Sequence, residues 1–437
     1  MSLDSQSRKI KIDEIKKKKP YSYMELYYEG SKQMMEVHKI DVSLLIFNKH
    51  NGRIGTYVKS YEKYGGVLDA SNEQDEEIII EYLWNSNKPS NKKTKQDIED
   101  KEQLVPGIIS ADGIIVDGNR RAMILKKIAK ERKDSPTYFI AAVLPDTLDE
   151  KPKEIRRLET MVQMGEDAKV DYNPIEKYVK CKDLYEIDKF DIGQISKMMG
   201  DSESKIREYL DILKLMDDYL CNHLKDNEEK TSAYEGMYSV LTEQKREGPF
   251  VDLNNHLKKH KSGTVRDRDW EPDREDIEDA KTIFFDHIRA GFGSQQGIRM
   301  ITNPTKDEGF FSKKKLFNKF SDEHFETMDS VEEKSVSELI SERSSEDPIK
   351  VILSRDDDFK NKVEDSFKKN LRQKKRELDD ITMGVKPYEL LEAAFKKIQQ
   401  IDLDSDFSEN PEVALNMIKA INKLLWTLQK PLEKKSK

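Results

Sequence analysis

The sequence predicts an α+β protein: a small mixed N-terminal domain, an all-α helix-turn-helix domain after it, and a largely helical C-terminal region. Three observations support this class. A strand–strand–helix–strand pattern runs from Val105 to Leu144. Two short capped helices follow and are separated by Gly200, and amphipathic helical patterns then continue toward the C-terminus.

Composition limits the possible functions. The chain has 437 residues, of which 37% are charged, and its net charge is −8. Any nucleic-acid contact must therefore come from a local basic patch. The only cysteines are Cys181 and Cys221, which argues against a disulfide framework and suits a reducing cytoplasm. Because the sequence has no apolar run of about 18 residues, we expect a cytoplasmic protein with no membrane partner.

Before residue 105 the secondary-structure predictions depend on short patterns of apolar and charged residues. Residues 1–36 predict a basic N-terminal extension in which Lys16 to Lys19 form a solvated tail; contact with a phosphate backbone is the alternative. From residue 38 the pattern becomes globular, with a short strand at 40–42. The other predictions here are helices at 56–64 and 76–84 and an exposed polar insertion at 85–95.

Residues 113–125 predict the functional site. Branched residues 114–116 predict a buried strand, Gly118 breaks it, and a helix begins at Arg120. The unpaired N–H groups of a helix N-terminus, together with the guanidinium groups of Arg120 and Arg121, would suit a phosphate. An ordinary strand–helix turn with two solvated arginines explains these residues equally well.

A helix-turn-helix domain is predicted at residues 161–220. Two capping signals, Asn173-Pro-Ile-Glu176 and Asp191-Ile-Gly-Gln194, each predict a helix start. Gly200 then ends one helix before the next begins. The side chains of the later helix that could face a DNA major groove are Ser202, Ser204, Lys205 and Arg207. Nearby acidic residues dilute this charge, and a plain helical hairpin within a larger bundle is the alternative.

The remaining chain predicts helices and one charged segment. Residues 221–320 predict a helical region of unknown role, and residues 321–385 a charged linker or helix, with a linker favoured at 321–347. Residues 386–437 predict a helical hairpin whose second helix is capped by Asn410. The hairpin either closes the fold or forms a dimer interface, and we favour the dimer.

Four segments occur in the order found in the ParB/sulfiredoxin superfamily, and most closely in ParB-type partition proteins. The loop 48–53 resembles the family's Asn-Pro-x-Gln-Pro-Arg segment, and Asp117-Gly-Asn-Arg-Arg121 resembles its arginine turn. Residues 158–163 resemble its Glu-Asn-x-Gln-Arg segment. The helix start at Asn173 and the helix-turn-helix follow, so the resemblance covers roughly residues 37–220.

The resemblance implies that residues 37–160 form a nucleotide-binding domain that takes a nucleotide triphosphate, CTP in preference to ATP, with Mg²⁺. It implies a homodimer that closes as a clamp on double-stranded DNA, a nucleoid-associated location and a possible partner ATPase. It assigns the metal or the attacking water to Glu159. The nucleotide contacts that it implies are Asn51, Arg53, Gly118, Asn119, Arg120 and Arg121.

Other functional classes have weaker support. The sequence has no zinc-ligand spacing, no Gly-x-Ser-x-Gly elbow and no Walker loop. It departs from the family at Asn51, Asn119 and Thr160, where the family has Gln, Glu and Asn. The leading hypothesis is a ParB-like DNA-binding protein with a CTP-type switch. The alternatives are a nucleotide hydrolase or nuclease of a mobile element or defence system, and a binding module with a degenerate pocket.

Overall fold

The computed structural model describes residues 3–131, 136–164, 173–226, 230–262, 270–302, 309–344, 346–401 and 411–435. These residues form a mixed α+β fold, which confirms the predicted class. A five-stranded sheet lies near the N-terminus, and helices make up most of the remaining chain. The fold has two compact units, Met1–Lys375 and Arg376–Lys437.

The sheet and the helices around it occupy the first part of the first unit. Neighbouring strands pair antiparallel, except that the third strand runs parallel to the fifth, and the strand order is β1-β2-β5-β3-β4. The elements are α1 Ser5–Lys16, β1 Ser22–Tyr28, β2 Ser31–Asp41, α2 Gly55–Gly65, α3 Glu73–Ser86, α4 Lys88–Lys101, β3 Gly107–Ile109, β4 Ile115–Asp117, α5 Asn119–Glu131, β5 Tyr138–Val143 and α6 Pro152–Met164.

The two faces of the sheet pack against different helices. One apolar cluster joins Phe139 of β5 to Ile12 of α1 and Ile124 of α5. The other joins residues of β1 and β2 to Ile155 and Leu158 of α6. Because successive strand residues point to opposite faces, these short strands contribute to both clusters.

The N-terminal 36 residues are part of this fold, so the prediction that they form an extension separate from the α+β domain is wrong. They contain α1, all of β1 and the beginning of β2. Ile12 and Tyr28 are fully buried. The lysine run hid the short apolar alternation of the hairpin, and only the end of that run, Lys17 to Lys19, is exposed as expected.

The helices predicted at 56–64 and 76–84 are confirmed as α2 and α3. The prediction of an exposed insertion at 85–95 is wrong. That segment contains the start of α4, which Asn87 caps by accepting from the Ser90 N–H. Asn91 is fully buried, and its amide donates to the carbonyls of Leu83 and Trp84. A buried, hydrogen-bonded Asn on an otherwise polar helix cannot be recognised from local composition.

Helices dominate the chain after the sheet. The predicted helices around Gly200 form, Asp191 makes the predicted capping box, and Gly200 has a positive φ of 69°. Asn173 caps its helix, but Glu176 does not complete the expected box. The elements are α7 Pro174–Lys182, α8 Ile192–Met199, α9 Glu203–Asp218, α10 Tyr238–Glu243, α11 Glu247–Ser262, α12 Arg274–Arg289, α13 Arg299–Ile301, α14 Lys314–Asp329, α15 Val336–Glu342, α16 Pro348–Gln399 and α17 Pro411–Lys435.

The charged segment 321–385 is helical, so the linker expected at 321–347 is wrong. It contains the end of α14 and all of α15, and His324 is buried. The Phe320 carbonyl accepts from the Asn370 amide at 3.0 Å, which fixes α14 on α16. Buried aromatic residues of α14 therefore outweigh the acidic composition that follows them.

The second unit contains the end of α16 and α17. Both predicted helices of the hairpin are present, but their apolar residues are exposed: Phe395 is 60% exposed and Leu425 is 44% exposed. The expected cap Asn410 lies outside the described residues. No helix in the described parts of the chain is both long enough and apolar enough to span a membrane.

Candidate nucleotide site

Glu159 lies at the centre of a buried polar cluster. It sits on α6 and is 2% exposed. One carboxylate oxygen accepts from the Asn48 amide at 3.1 Å, and the other accepts from the Lys180 ammonium at 3.1 Å. Because a buried carboxylate is costly unless it is paired and hydrogen-bonded, these two contacts fix its position.

The start of α5 joins the same cluster. Asn119 is 3% exposed, and its side-chain oxygen accepts from the Asn48 N–H at 3.3 Å. Its amide donates to the Ile115 carbonyl at 3.4 Å. Asn48 therefore links the first residue of α5 to Glu159 of α6. The structure thus brings together three segments that are far apart in the sequence, because the two hydrogen bonds of Asn48 span 71 and 111 positions.

Cations surround this cluster. His50 lies in the same loop, and its pKa is lowered to about 4, first by desolvation of the ring and then by the positive charges of Arg156, Lys49 and Lys180. Arg156 is itself paired with Asp188 at 3.1 Å. Lys49 is paired with Glu62 at 2.8 Å and Lys180 with Glu159, so each of these cations has an acidic partner.

Gly118 and Arg121 form the turn that leads into α5. Gly118 has a φ of 97°, and a Cβ there would lie 2.8 Å from the Phe139 ring. Arg121 makes an ion pair with Asp117 at 2.7 Å and donates to the Val105 carbonyl at 2.9 Å. The Arg121 side chain is 20% exposed, so it is accessible at its surface while it braces the turn.

The second arginine points toward a different element. Arg120 donates to the Ser90 hydroxyl of α4 at 3.1 Å. The guanidinium groups of Arg120 and Arg121 therefore contact different parts of the fold, and both have protein partners. The sequence predicted a pair of arginines acting together on one phosphate chain, whereas the structure separates their contacts.

The loop residues expected at the pocket rim differ in their placement. Asn51 is 2% exposed, and its side-chain oxygen accepts from the Arg53 N–H at 3.0 Å. This local turn shapes the loop before α2, so Asn51 acts through the backbone and not as a projecting rim residue. Arg53 is half-buried, two residues before α2 begins.

The cluster does not fit a resident Mg²⁺. Mg²⁺ prefers carboxylate and phosphate oxygens in octahedral geometry. Glu159 is the only carboxylate in the cluster, and the Lys180 ammonium already provides its positive partner. Across the described residues, no three His, Cys, Asp or Glu side chains converge in a way that could hold a metal.

The helix pair around Gly200 presents the predicted DNA-contacting residues on its surface. Ser202, Ser204, Lys205 and Arg207 are all exposed. The Ser202 hydroxyl caps α9 by accepting from the Lys205 N–H. Lys205 pairs with Glu208 at 2.9 Å, and Arg207 with Glu203 at 3.7 Å. These exposed pairs are weak, so a phosphate can compete for either cation.

Helix α7 connects the polar cluster to this helix pair. Its residue Lys180 reaches Glu159, while Lys177 pairs with Asp201 in the turn before α9 at 2.6 Å. The rings of Tyr178 and Tyr209 lie 4.9 Å apart, which packs α7 on α9. Helix α7 therefore contacts both Glu159 and α9.

The buried carboxyl group of Glu176 fixes the other side of α7. It is 3% exposed and accepts from the N–H and the hydroxyl of Thr56 on α2. Burial raises its pKa to about 7, against the opposing effect of the Thr56 hydrogen bonds. This contact explains why Glu176 is not available for the capping box.

The sequence patterns point to Glu159 and Asn119 as candidate site residues, but they give no signal for Lys180. A lysine in the second turn of a predicted helix gives no local signal, because its role depends on a contact 21 residues away. Asn48 was included in the resembling loop without a role. A scan against models of protein families finds no match, and a search of curated proteins finds no similar sequence.

Proposed function

We propose that this chain is a ParB-like DNA-binding protein in which a nucleotide triphosphate, CTP in preference to ATP, binds the N-terminal α+β domain and changes the affinity of α8 and α9 for DNA. One observation carries the proposal. Asn48, Asn119 and Glu159, each from a segment that resembles the family, converge in one cluster with Lys180 of α7.

The start of α5 is the proposed phosphate site. The first N–H groups of a helix have no intrahelical partner and attract anions. Gly118, Asn119 and Arg120 supply these backbone groups, and Arg121 supplies a guanidinium within reach of the same turn. An incoming phosphate would compete with Asp117 for Arg121, and such an exchange is inexpensive because both side chains are partly exposed.

Lys180 is the proposed link to DNA binding. A polyphosphate near Asn48 and Asn119 would compete with Glu159 for the Lys180 ammonium. Because α7 also pairs with Asp201 through Lys177, movement of Lys180 would shift α7 against α9. Mg²⁺, if it takes part, would arrive with the phosphates, and no step of the proposal depends on it.

The proposed DNA contact uses the first turn of α9. Ser202, Ser204, Lys205 and Arg207 would face the major groove or its phosphates. A dimer, the expected form of such a protein, is supported by the exposed stripe on α17. Its members follow a spacing of three and four residues, as in a coiled coil: Ile418, Ile421, Leu425, Leu428 and Leu432. A partner ATPase and a nucleoid location belong to the same proposal.

Nucleotide binding tests the first half of the proposal. Wild type should bind radiolabelled CTP more tightly than ATP, and Arg121→Ala should weaken binding at least tenfold, as expected for a charged hydrogen bond. Arg207→Ala is the matched control, because it removes an exposed arginine from α9 and should leave nucleotide binding unchanged. Failure of both nucleotides to bind, with and without DNA, contradicts the proposal.

DNA binding tests the second half. Lys205→Ala together with Arg207→Ala should weaken duplex binding and reduce the slope of log K against log salt by about 2, because each phosphate contact contributes about 0.9. Release of labelled nucleoside diphosphate in the same samples would distinguish a switch from a hydrolase. Unchanged duplex binding would remove α9 from the interface.

A further inference from the structure

Three tyrosines on the first β-hairpin are exposed together. Tyr21 is 57% exposed, Tyr23 is 61% exposed and Tyr27 is 40% exposed. They alternate along and before β1 with the buried residues Leu26 and Tyr28. Because alternate strand residues share a face, Tyr21, Tyr23 and Tyr27 form one surface, which we name the tyrosine face.

Two acidic residues of this hairpin, Glu25 and Glu29, have lysine partners, and a third lies beside a histidine. Glu25 pairs with Lys32 at 2.8 Å, and Glu36 lies 3.2 Å from His38. Glu29, in the turn, pairs with Lys151. The negative charges of Glu25 and Glu29 are therefore compensated within the fold.

The lysines beside the tyrosine face have no such partners. Lys17, Lys18 and Lys19 are exposed, and among the described residues none of them forms an ion pair. The Lys39 ammonium lies 5.1 Å from the centre of the Tyr21 ring and is likewise without an acidic partner in the described chain. Uncompensated cations next to exposed rings are complementary to a polyanion that also carries flat aromatic groups.

We propose that the tyrosine face, with Lys17 to Lys19 and Lys39, binds single-stranded nucleic acid. Bases stack on the tyrosine rings, and the lysines neutralise the phosphates between them. A duplex keeps its bases stacked on each other, so it cannot use the rings and would contact only the lysines. This surface is separate from the proposed duplex contact on α9, and its binding does not depend on nucleotide.

Stacking is tested by replacing rings in the full-length protein. Fluorescence anisotropy would measure binding of a labelled oligothymidylate, an oligouridylate and a duplex of equal length. Tyr21→Ala with Tyr23→Ala should weaken binding of the single strands at least tenfold, because each base–aromatic stack contributes about a tenfold factor or more. Tyr21→Phe with Tyr23→Phe keeps the rings and should bind as wild type does.

Two controls separate this proposal from its alternatives. Tyr185→Ala removes another exposed ring, 45% accessible, from the turn after α7 and should leave binding of the single strands unchanged. Lys205→Ala with Arg207→Ala should weaken duplex binding and not single-strand binding, so failure of the α9 contact would be distinguishable. The relative affinities for the two single strands identify DNA or RNA as the preferred ligand.

The proposal is overturned by either of two results. One is no measurable binding of either single strand, which would leave the exposed edge of β1 as a contact for a protein strand. The other is equal single-strand affinity of wild type and the Tyr21→Ala, Tyr23→Ala variant. Replacing Lys17 to Lys19 with Ala should also reduce the salt slope by about 2, because each single-strand contact contributes about 0.7.

Discussion

The polar cluster at Glu159 and the tyrosine face are both charged regions of the same α+β domain, but they use charge in opposite ways. At Glu159, each carboxylate oxygen and the Lys180 ammonium has a protein partner in a buried setting. At the tyrosine face, Glu25 is paired with Lys32, whereas Lys17 to Lys19 form no ion pair among the residues that the structure describes. Buried charged groups that are paired with each other hold secondary-structure elements in place, whereas exposed cations without an acidic partner can bind a ligand.

The largest expected effect comes from breaking the buried pair. Glu159→Gln or Lys180→Met alone should lower the free energy of unfolding by about 3–5 kcal/mol, because each leaves an unpaired buried charge. The double variant should lose much less. Urea denaturation of all four proteins gives the coupling energy. Single losses below about 1 kcal/mol would mean that the pair is accessible to water and comparable to the surface pairs.

Glu176 provides a pH test of the same buried region. Its pKa is raised from 4.5 to about 7, so its ionisation opposes folding, and wild-type stability should fall as the pH rises from 4.5 through 7. The Glu176→Gln variant has no carboxyl group at this position, so its stability lacks this pH dependence. Between pH 4.5 and pH 8, the difference in unfolding free energy should move by about 3 kcal/mol in favour of the variant. An equal difference at both pH values would show that Glu176 does not titrate within the folded protein.

Gly118 tests how strictly the α5 turn is fixed. Gly118→Ala combines a positive φ with a Cβ 2.8 Å from Phe139, and it should cost about 1–3 kcal/mol. Gly66→Ala is the matched control, because Gly66 has a φ of 85° with no atom within 4 Å of the added Cβ. Thermal unfolding of both should show the larger loss for Gly118. Equal losses would attribute the effect to backbone conformation alone.

The smallest effect on stability is expected at the tyrosine face. Tyr21→Ala with Tyr23→Ala removes exposed rings and should change the unfolding free energy by less than about 0.5 kcal/mol for each site. Circular dichroism during urea titration would measure it. A larger loss would place these rings among the residues that hold the hairpin together and would end the contrast with Glu159.

Local signals explain which parts of the fold could be predicted. The turn at Gly118, the capping box at Asp191 and the left-handed Gly200 each place an element boundary within a few residues. These features depend on backbone geometry and on side chains a few positions away, so the sequence carries them directly.

The missed features depend on distant contacts. The β1–β2 hairpin was hidden by charged and polar residues on its exposed face, while Leu26 and Met35 on the other face are buried. The roles of Lys180 and Asn48 can be recognised only in the structure, where α6, α7 and the loop that contains Asn48 meet at Glu159. The sequence shows that Arg120 and Arg121 are adjacent at the start of a helix. Their separate partners could not be predicted, because they depend on the positions of α4 and β4.

The most direct test of the central claim is duplex DNA affinity measured with and without CTP, in wild type and in the Glu159→Gln, Lys180→Met double variant. If α7 carries the signal, CTP should change the duplex affinity of wild type severalfold and leave that of the double variant unchanged. A wild type that ignores CTP, or a double variant that responds as wild type does, would contradict the proposed route through Lys180.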